Sequence, residues 1–482
     1  MRTQMKKVET RGDHETRRWS AEEIAREYVG FFRKRGHLEI AGSPLVVPEN
    51  TTSFVIAGMQ PLIPYLRGDV SPPAERLVDL QRCLRTDDVD AVGSNGRKLT
   101  SFHMLGNWSV GGYGRREATR LALELLAVYG VDRERLWVTV FAGEPGLGLA
   151  RDEEVIAEWR AADVPEERIV PLGMDDNFWT AGGPGPCGPN SELFVDRGEA
   201  LGCGRAECAP GCACERFLEI WNLVFIEFER HEDGHFSPLP LRSVDTGMGL
   251  ERMAVVLQEA PSIFEIDLFW PALERLRALE GSGDGDEARA ERARRVIVDH
   301  ARAALLAGLA GVVPGNLGRA SVLRRLIRRA ARQGRALGIE RPFLGELLEP
   351  LARAHGSLLT VDEQGRVAEV ARMVTDEERR FARVLTAGLR ALERIVAENG
   401  GDEIVPGERL FLLHAERGFP ADLAAEVLAE RGLAVDWSGY EQALAGHRAV
   451  SRVSAERRFR GRSESSHPLH PLSVESGEMP AN

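Results

Sequence analysis

The chain has 482 residues, of which 43% are hydrophobic and 28% charged, and its formal net charge is −12 at pH 7. This length suits two or three domains, and this balance is typical of a globular protein rather than a disordered or membrane-embedded one. No apolar run approaches the roughly 18–20 residues of a membrane helix, and residues 1–18 lack the apolar segment of a signal peptide. We therefore expect a cytoplasmic protein without membrane contact.

The ordered part of the chain is predicted to begin near residue 20. Ser20 and Glu23 have the spacing of a helix capping box, the apolar residues that follow share one helical face, and Gly36 ends the pattern. Residues 1–19 are accordingly predicted to form a disordered tail in front of the first domain.

The region 20–268 has the pattern of an α+β domain. Strand-like runs such as 136–142 and 220–228 are broken by Gly and Pro and are separated by helices such as 115–129. Regular βαβ alternation is absent, so we expect a largely antiparallel sheet. The Gly-rich residues 143–148 lack the Lys and Ser/Thr of a phosphate-binding loop and are predicted to be a turn.

The second half of the chain is predicted to be helical. A linker is assigned to 269–287, and its clearest part is the flexible, acidic stretch 281–287. Helical patterns fill residues 288–455, which form the predicted second domain. Residues 456–482 show no periodicity and are predicted to be a disordered tail.

One helix of this second half carries a start signal of its own. Thr375 and Glu378 have capping-box spacing, and apolar residues recur at helical spacing up to Val396. The pattern predicts a helix over 375–396 with a buried apolar stripe.

Cysteine is concentrated in one segment that also contains Gly and Pro. Four of the six cysteines lie there: Cys203, Cys208, Cys212 and Cys214. A chain without an export signal meets a reducing compartment, where clustered thiolates bind metal more often than they form disulfides. A tetrahedral zinc site is favoured over a loop that merely contains cysteines, and His231 or His235 could replace one ligand.

The acidic net charge argues against nucleic-acid binding, but charge acts through local patches. Residues 319–335 contain seven arginines and no acidic residue. Such a run could be a solvated helix face, yet it lacks acidic partners within the helix. A polyanionic partner is therefore the preferred interpretation.

Seven further strings lie in order through the first domain, whereas the signatures of class I synthetases are missing. The strings are AGM at 57–59, RCLR at 82–85, MLGNWS at 104–109, NFW at 177–179, GPCGP at 185–189, EIWNLVF at 219–225 and SVDTGMGLER at 243–252. Together they resemble the alanyl-tRNA synthetases, a family of class II aminoacyl-tRNA synthetases, and the resemblance continues to about residue 453.

This resemblance implies a class II antiparallel-sheet catalytic domain over 20–268, with the cysteine segment 203–214 as an insertion, followed by an all-helical tRNA-recognition domain over 288–455. It implies an alanine–tRNA ligase that forms alanyl-adenylate from alanine and ATP and transfers alanine to the 3′ end of alanine tRNA. Two alternatives stay open. One is a paralogue that serves a non-translational pathway, and the other is an inactive relative that binds tRNA.

The chemistry of adenylation asks for positioning and charge neutralisation rather than a protein nucleophile. By resemblance, Arg85 bridges the amino-acid carboxylate and the α-phosphate, and Arg252 binds the γ-phosphate together with Mg²⁺. Without the family context, each would be read as an ordinary arginine. The full expected ATP-binding set is Arg85, His103, Met104, Asn107, Glu219, Gly249 and Arg252.

Alanine needs an anion for its ammonium and a wall that excludes larger side chains. The resemblance assigns the ammonium to Asp245, orientation of the substrate to Asn222, and the methyl pocket to Trp179 and Val224, while Gly247 allows close backbone approach. Taken alone, Asp245 could be a turn or cap residue and Trp179 a core aromatic.

The resemblance also places tRNA recognition in the second domain. Asn316 and Asp422 stand where the family recognises the G·U wobble pair of the acceptor stem, whose exposed amine lies in the shallow minor groove. Alternatively, Asn316 is a loop residue and Asp422 a helix N-cap. The arginines after Asn316 are then expected to contact phosphates: Arg319, Arg324, Arg325, Arg328 and Arg329.

The sequence departs from the family pattern near the expected site. His103 replaces a Glu, so its contact with ATP or alanine is expected to differ; Gly112 and Gly114 replace Asp and Phe, and Val55-Ile56 replaces Thr-Asn. These changes bear on amino-acid specificity more than on adenylation.

The family's editing and C-terminal oligomerising domains have no counterpart in this sequence, so it resembles a short form of the enzyme. A methyl pocket rejects glycine and serine only weakly, which makes a separate editing protein an expected partner. The oligomeric state is left open, with a monomer favoured.

Overall fold

The computed structural model describes residues 19–46, 53–180, 183–282 and 285–447. The chain forms two compact units, Met1–Arg379 and Arg380–Asn482. The predicted tails at residues 1–18 and 456–482 lie outside the described residues. Among the residues that are described, no helix is both long and apolar enough to cross a bilayer.

The first unit begins with the elements that form its sheet. In chain order these are α1 (Ala21–Arg33), β1 (Leu38–Glu39), α2 (Ile63–Arg67), β2 (Arg76–Leu84), β3 (Ser101–Val110), α3 (Arg115–Tyr129), β4 (Leu136–Phe141), α4 (Glu153–Ala161), β5 (Ile169–Leu172), α5 (Met174–Asn177), β6 (Phe178–Trp179), β7 (Gly185–Asp196), β8 (Phe217–Arg230), β9 (Phe236–Gly249) and α6 (Leu250–Leu257).

Nine strands form a mixed sheet in the order β1-β2-β3-β9-β8-β7-β4-β5, with β6 paired to β7. Neighbouring strands are antiparallel except for the pairs β1/β2 and β4/β5. The prediction of an α+β domain with a largely antiparallel sheet is confirmed. The strands predicted at 136–142 and 220–228 correspond to β4 and to the middle of β8, and the helix predicted at 115–129 is α3.

Helix α1 shows how local sequence signals set an element. The Ser20 hydroxyl accepts from the Glu23 backbone N–H at 3.2 Å, and the Glu23 carboxylate accepts from the Ser20 N–H at 3.0 Å, which completes the predicted capping box. The buried face includes Tyr28 and Phe32, whose rings lie 5.8 and 6.3 Å from the Trp221 ring on β8. This packing anchors the helix on the sheet.

The chain then becomes helical, and its longest helix runs past the end of the first unit at Arg379. The elements are α7 (Trp270–Arg277), α8 (Glu287–Leu309), α9 (Gly318–Gly334), α10 (Gly345–His355) and α11 (Val361–Glu398). Helix α7 lies inside the stretch predicted as a linker, 269–287, and it packs against α8 and α10. Helix α8 is almost completely buried over its C-terminal half and packs on β3, so these helices extend the core of the sheet.

The start predicted for the helix at residue 375 is wrong. Helix α11 begins at Val361, and its capping box is formed by Thr360 and Glu363, whose backbone N–H groups bond to each other's side chains. The Thr375 hydroxyl instead donates to the Ala371 carbonyl at 2.8 Å. Glu378 accepts from the N–H groups that precede α10, at 3.0 Å each. Of the two residues that resembled a cap, one therefore bonds within its own helix and the other makes a tertiary contact.

The second unit is described up to residue 447. It contains the end of α11, the helices α12 (Gly407–Arg417) and α13 (Ala421–Ala429), and a parallel pair of two-residue strands, β10 (Ile404–Val405) and β11 (Ala434–Val435). Phe419 is fully buried against Gly388, where any side chain would clash with its ring. The predicted helical character is confirmed, with the two short strands as an addition.

Candidate active site

One face of the sheet carries a cavity of about 340 Å³. Strands β3, β7, β8 and β9 lie side by side beneath it, and side chains that alternate along each strand point into it. Its wall consists of Ala57, Arg85, Asp88, Arg97, Lys98, Leu99, Phe102, Met104, Trp179, Glu192, Glu219, Asn222, Val224, Asp245, Gly247, Gly249, Glu251, Arg252 and Ile263. All residues expected to contact ATP or alanine are among them, except His103 and Asn107.

Asp245 is the buried anion of this cavity. It lies on β9 with 6% of its surface exposed, and burial raises the pKa of its carboxyl to about 7. No cation among the described residues contributes to that pKa. A desolvated carboxylate without a cationic partner is costly to ionise, so the site is suited to a ligand that brings a positive charge.

Gly247, next along the same face of β9, has no room for a side chain. A Cβ there would lie 2.8 Å from the Met104 sulfur, and the same sulfur accepts from the Gly58 N–H at 3.1 Å. The backbone therefore forms the cavity floor beside Asp245. A small ligand can approach it closely, as expected for a glycine at this position.

Two arginines line the cavity, one after β2 and the other after β9. Arg85 directly follows β2; its Nε donates to the Ile56 carbonyl at 3.0 Å, and its guanidinium lies 4.9 Å from the centre of the Phe102 ring. Arg252 lies in the first turn of α6, with its Nη1 2.5 Å from the Glu219 carboxylate. Both guanidinium groups line the same space as Asp245.

Asn222 is held by a polar chain that runs across β7 and β8. Its amide donates to the Glu192 carboxylate at 3.1 Å and its carbonyl accepts from Asn190 at 2.9 Å. Burial and the neighbouring Glu219 raise the pKa of Glu192 well above its usual range. These two neighbours determine which way the side-chain amide of Asn222 is oriented. Trp179 and Val224 form apolar parts of the cavity wall.

His103 and Asn107 lie on the opposite face of β3. The buried Asn107 accepts from Tyr28 at 2.8 Å and donates to Tyr113 at 2.8 Å, so it is part of the core beneath α1. The fully buried His103 donates its backbone N–H to both oxygens of Glu251 at 3.0 Å. The expectation that these two side chains contact ATP does not agree with this placement.

His103 belongs to a buried charge cluster, which we define as His103, Glu251, Arg302 and His355. Arg302 of α8 pairs with Glu251 and donates through Nε to His355 at 3.1 Å. Burial disfavours the Glu251 carboxylate, but Arg302 and the His103 hydrogen bond lower its pKa to about 2. Burial also lowers the pKa of His103, so a neutral imidazole lies beside an ionised pair.

Several wall residues were not anticipated from the sequence. Phe102 could have been, because it shares the β3 face with Met104. Arg97, Lys98 and Asp88 lie in the charged connection between β2 and β3, which no periodic pattern marks. Ile263 arrives from a 3₁₀ turn after α6. In such irregular segments the sequence does not predict which way a side chain points.

The cysteine segment forms a compact group of thiols. The Sγ atoms of the four predicted cysteines lie within 4.8 Å of one another, with Cys203–Cys212 at 3.4 Å and Cys208–Cys214 at 3.5 Å. Hydrogen bonds from Arg205 lower the pKa of Cys203 to about 6. The two histidines considered as substitutes stack on each other at 4.0 Å, and the metal-ligand group found among the described residues contains only the cysteines.

Several arginines of α9 pair with acidic residues that lie outside their own helix. Arg325 pairs with Asp90 at 2.9 Å, and Arg328 pairs with Glu377 at 2.8 Å. Arg329 is buried and bonds to His300 at 2.9 Å.

At the start of α9 the side chains are more accessible. Asn316 is exposed and accepts from Arg324, while Arg319 bonds to the Ser53 carbonyl. Asp422 lies in the first turn of α13, within the second unit.

Comparison with known proteins assigns the chain to a family. Residues 23–473 match the family described as tRNA synthetases class II (A). The chain belongs to this family of class II tRNA synthetases, and the predicted recognition is confirmed.

The chain is 41% identical to the alanine–tRNA ligase of Dehalococcoides mccartyi over 446 residues, which cover 92% of this chain and 50% of that protein. It is 42% identical to the alanine–tRNA ligase of Desulforudis audaxviator, covering 90% of this chain and 49% of the relative. The alanine–tRNA ligase of Treponema pallidum is 40% identical, with 92% and 73% covered. The chain thus spans about half the length of the first two relatives.

Proposed function

We propose that this chain activates alanine with ATP and transfers it to the acceptor end of alanine tRNA. The observation that carries the proposal is that one buried carboxylate, Asp245, and two guanidinium groups, Arg85 and Arg252, line a single cavity on the sheet of a class II synthetase. The names of the relatives favour alanine over other amino acids.

In the amino-acid half of the cavity, the ammonium of alanine pairs with Asp245 and neutralises a carboxylate that burial otherwise disfavours. Asn222 is held in a defined orientation by Glu192 and Asn190 and directs the substrate. Trp179 and Val224 limit the space for the side chain. Gly247 lets the small substrate lie against the backbone.

In the nucleotide half, the alanine carboxylate attacks the α-phosphorus of ATP. A carboxylate O–P bond forms, the bond to the bridging oxygen breaks, and pyrophosphate leaves with its electron pair. Arg85 stabilises the charge at the α-phosphate and Arg252 the charge on the departing group, because planar guanidinium donors match phosphate oxygens. No general base from the protein is needed.

The wall also offers carboxylate oxygens that suit Mg²⁺, the ion that class II synthetases use with ATP. Two of these groups are Glu219, which pairs with Arg252, and Asp88, which pairs with Lys98. Mg²⁺ supplies neutralisation of phosphate charge when bound. We propose that these carboxylates help to hold it.

For the tRNA we propose the acceptor stem as the bound part, with Asn316 at the wobble pair and Arg319, Arg324 and Arg325 at phosphates. These residues are exposed or half-buried at the start of α9. The half-buried Arg328 is proposed as a further phosphate contact, whereas the buried Arg329 is not. Asp422 of the second unit is proposed as the second wobble-pair contact. We also propose a cytoplasmic location, which is compatible with an activity on tRNA and ATP.

The four cysteines are proposed to hold a structural zinc ion. Tetrahedral zinc with Zn–S bonds of about 2.3 Å requires sulfurs about 3.8 Å apart, and the thiols lie within 4.8 Å of one another without any rearrangement. Arg205 donates to Cys203 and Cys212 at 3.4 and 3.1 Å and offsets the negative charge of a four-thiolate site.

The test is ATP–pyrophosphate exchange with alanine, glycine and serine, followed by charging of alanine tRNA. Exchange that is fastest with alanine, together with charging, is the expected result. Exchange without charging would instead support a non-translational paralogue. The absence of exchange with any amino acid would overturn the proposal, and weak exchange with serine or glycine would support the need for a separate editing protein.

A further inference from the structure

The loop that carries the cysteines touches the wall of the cavity. We define the cysteine loop as residues 202–216, between β7 and β8. Arg97 lines the cavity, and its guanidinium donates to the carbonyls of Ala213 and Cys214, each at 3.3 Å. The adjacent Gly96 N–H donates to the Glu215 carboxylate at 3.4 Å. These hydrogen bonds connect the cysteine loop to one short stretch of the cavity wall.

The turn that bears Arg97 has its backbone held from the other side. The Asn95 side chain accepts from the N–H groups of Arg97 and Lys98 at 3.2 and 3.1 Å, and the Gly96 carbonyl accepts from Ile263 at 2.9 Å. A Cβ on Gly96 would lie 3.2 Å from the Ser262 side chain. The backbone of the turn is thus held mainly by bonds outside the cysteine loop, apart from the one from Gly96 to Glu215, whereas the Arg97 guanidinium is oriented by carbonyls of that loop.

The cysteine loop cannot order those carbonyls through a core of its own. Cys203 is exposed, the other three cysteines are only half-buried, and most residues from 199 to 214 are exposed or half-buried. One of the two carbonyls belongs to Cys214 itself, and the other to the residue before it. A metal bound by the four thiolates would fix both carbonyls directly, because cross-linking by metal replaces the missing core in small loops.

We propose that the metal-bound cysteine loop positions Arg97 to bind a phosphate group of ATP, so that metal occupancy determines the affinity for the nucleotide. The proposal rests on the proposed adenylation and on the proposed zinc site. Arg97 and Lys98 add positive charge on the β2–β3 side of the cavity, the side from which Arg85 also enters. The two carbonyls hold the Arg97 guanidinium at the cavity wall, which lowers the cost of ordering a long side chain on binding.

The experiment compares zinc-loaded protein with protein from which a chelator has removed the metal. Zinc content is measured by mass spectrometry, ATP affinity by calorimetry, and KM for ATP by pyrophosphate exchange. Removal of zinc is expected to raise both the dissociation constant and KM for ATP about tenfold, the lower range for loss of groups that orient a bound charge. KM for alanine is expected to change less than about twofold, and zinc is expected to restore the original values.

The variant Arg97→Ala separates this mechanism from a general loss of order. In its zinc-loaded form the ATP dissociation constant is expected to rise about tenfold, and removal of zinc should add less than about twofold, because the two changes act through one contact. Arg197→Ala is the matched control. Arg197 likewise donates to two backbone carbonyls, at 3.0 and 2.7 Å, but does not line the cavity, so this variant should keep the full response to zinc.

Three results would overturn the proposal: no zinc on the purified protein, an ATP affinity indifferent to zinc, or an equal response to zinc in Arg97→Ala and the unaltered chain. Thermal unfolding monitors integrity. If removal of zinc unfolds the protein, the variant Glu215→Gln is compared with the unaltered chain instead. This variant weakens the contact between Glu215 and the Gly96 N–H and leaves the thiols intact. Calorimetry reports ATP binding without turnover, so a failure of alanine activation and a failure of the metal coupling remain separate results.

Discussion

Two faces of strand β3 use charge in different ways. On one face, Phe102 and Met104 border a cavity where Asp245 lies buried without a cationic partner in the described part of the chain. On the other face, His103 lies in a cluster where Glu251 and Arg302 already neutralise each other. The first arrangement is costly until a ligand arrives, and the second supports the fold. The comparison teaches that a buried carboxylate indicates a binding site only where its counter-ion is missing.

The largest effect is expected at the unpaired carboxylate. Asp245→Asn removes the anion for the alanine ammonium and should lower kcat/KM for alanine by about 10⁴-fold, the range for a buried polar site that loses its matching group. Pyrophosphate exchange measures this. Because burial raises the pKa of Asp245 to about 7, ionisation at pH 8 costs folding stability, so the same variant should unfold at a higher temperature.

The thermal stability of Asp245→Asn distinguishes a carboxylate that binds a ligand from one that supports the fold. An Asp245→Asn variant that is both inactive and less stable than the unaltered protein would show that Asp245 is a structural group. The same would follow if alanine still protected the variant against thermal unfolding as strongly as it protects the unaltered chain.

The opposite behaviour is expected in the buried charge cluster. Arg302→Met leaves Glu251 buried without its cation and should destabilise the protein by about 3–5 kcal/mol. Denaturant unfolding measures the change. The double variant Glu251→Gln/Arg302→Met should recover part of that loss, since it removes the uncompensated charge as well. An additive loss in the double variant would contradict this description of the cluster.

The buried charge cluster also limits the stability of the fold at acidic pH. Arg302 and His103 lower the pKa of Glu251 to about 2, below its ordinary value of 4.5. A carboxyl with a lowered folded pKa contributes stability that is present above its unfolded value and is lost as pH falls through the folded one. The stability supplied by Glu251 should therefore decline between about pH 4.5 and 2, and Glu251→Gln should flatten that limb of a stability-against-pH curve.

Alanine activation should show a pH dependence of its own. The Asp245 carboxyl is protonated below about pH 7 in the free protein, while the alanine ammonium stays charged throughout this range. The value of kcat/KM for alanine should thus fall about tenfold per pH unit below pH 7 and level off above it. KM for ATP at saturating alanine should not follow this profile. An activity that is flat from pH 5.5 to 8 would show that Asp245 is not the ammonium site.

The same strand explains what the sequence could and could not predict. Shared motifs led to Arg85, Asp245 and Arg252, which do line one cavity. They also led to His103 and Asn107, although alternation along β3 directs those side chains away from Phe102 and Met104. Applying the two-residue alternation of a strand to β3 would have assigned Phe102 and Met104 to one face and His103 and Asn107 to the other. A motif marks a stretch of chain, and the backbone geometry decides which of its side chains reach the ligand.

Other features depend on contacts that no local pattern contains. Arg302 lies beyond the predicted linker, yet α8 packs on β3 and brings it to Glu251. The partners of the α9 arginines, Asp90 and Glu377, are equally remote in sequence. Capping signals are local and can therefore be recognised in the sequence, but the one at Thr375 and Glu378 fails. Thr375 bonds to Ala371 within the same helix, and Glu378 accepts from the N–H groups before α10.

The smallest effect is expected where the paired arginines reach solvent. Arg325 is 37% exposed and its partner Asp90 is 63% exposed, so the pair contributes less than about 1 kcal/mol to stability. If Arg325 also contacts a tRNA phosphate, Arg325→Ala should raise KM for tRNA about threefold, more at low salt than at high salt, and leave alanine-dependent exchange unchanged.

Asp90→Ala is the matched control, since it breaks the same ion pair but keeps the guanidinium. Charging assays should show weaker tRNA binding for the first variant and equal or tighter binding for the second. Equal weakening in both would mean that the ion pair, rather than a phosphate contact, is what Arg325 provides, and α9 would then resemble the closed cluster more than the open cavity.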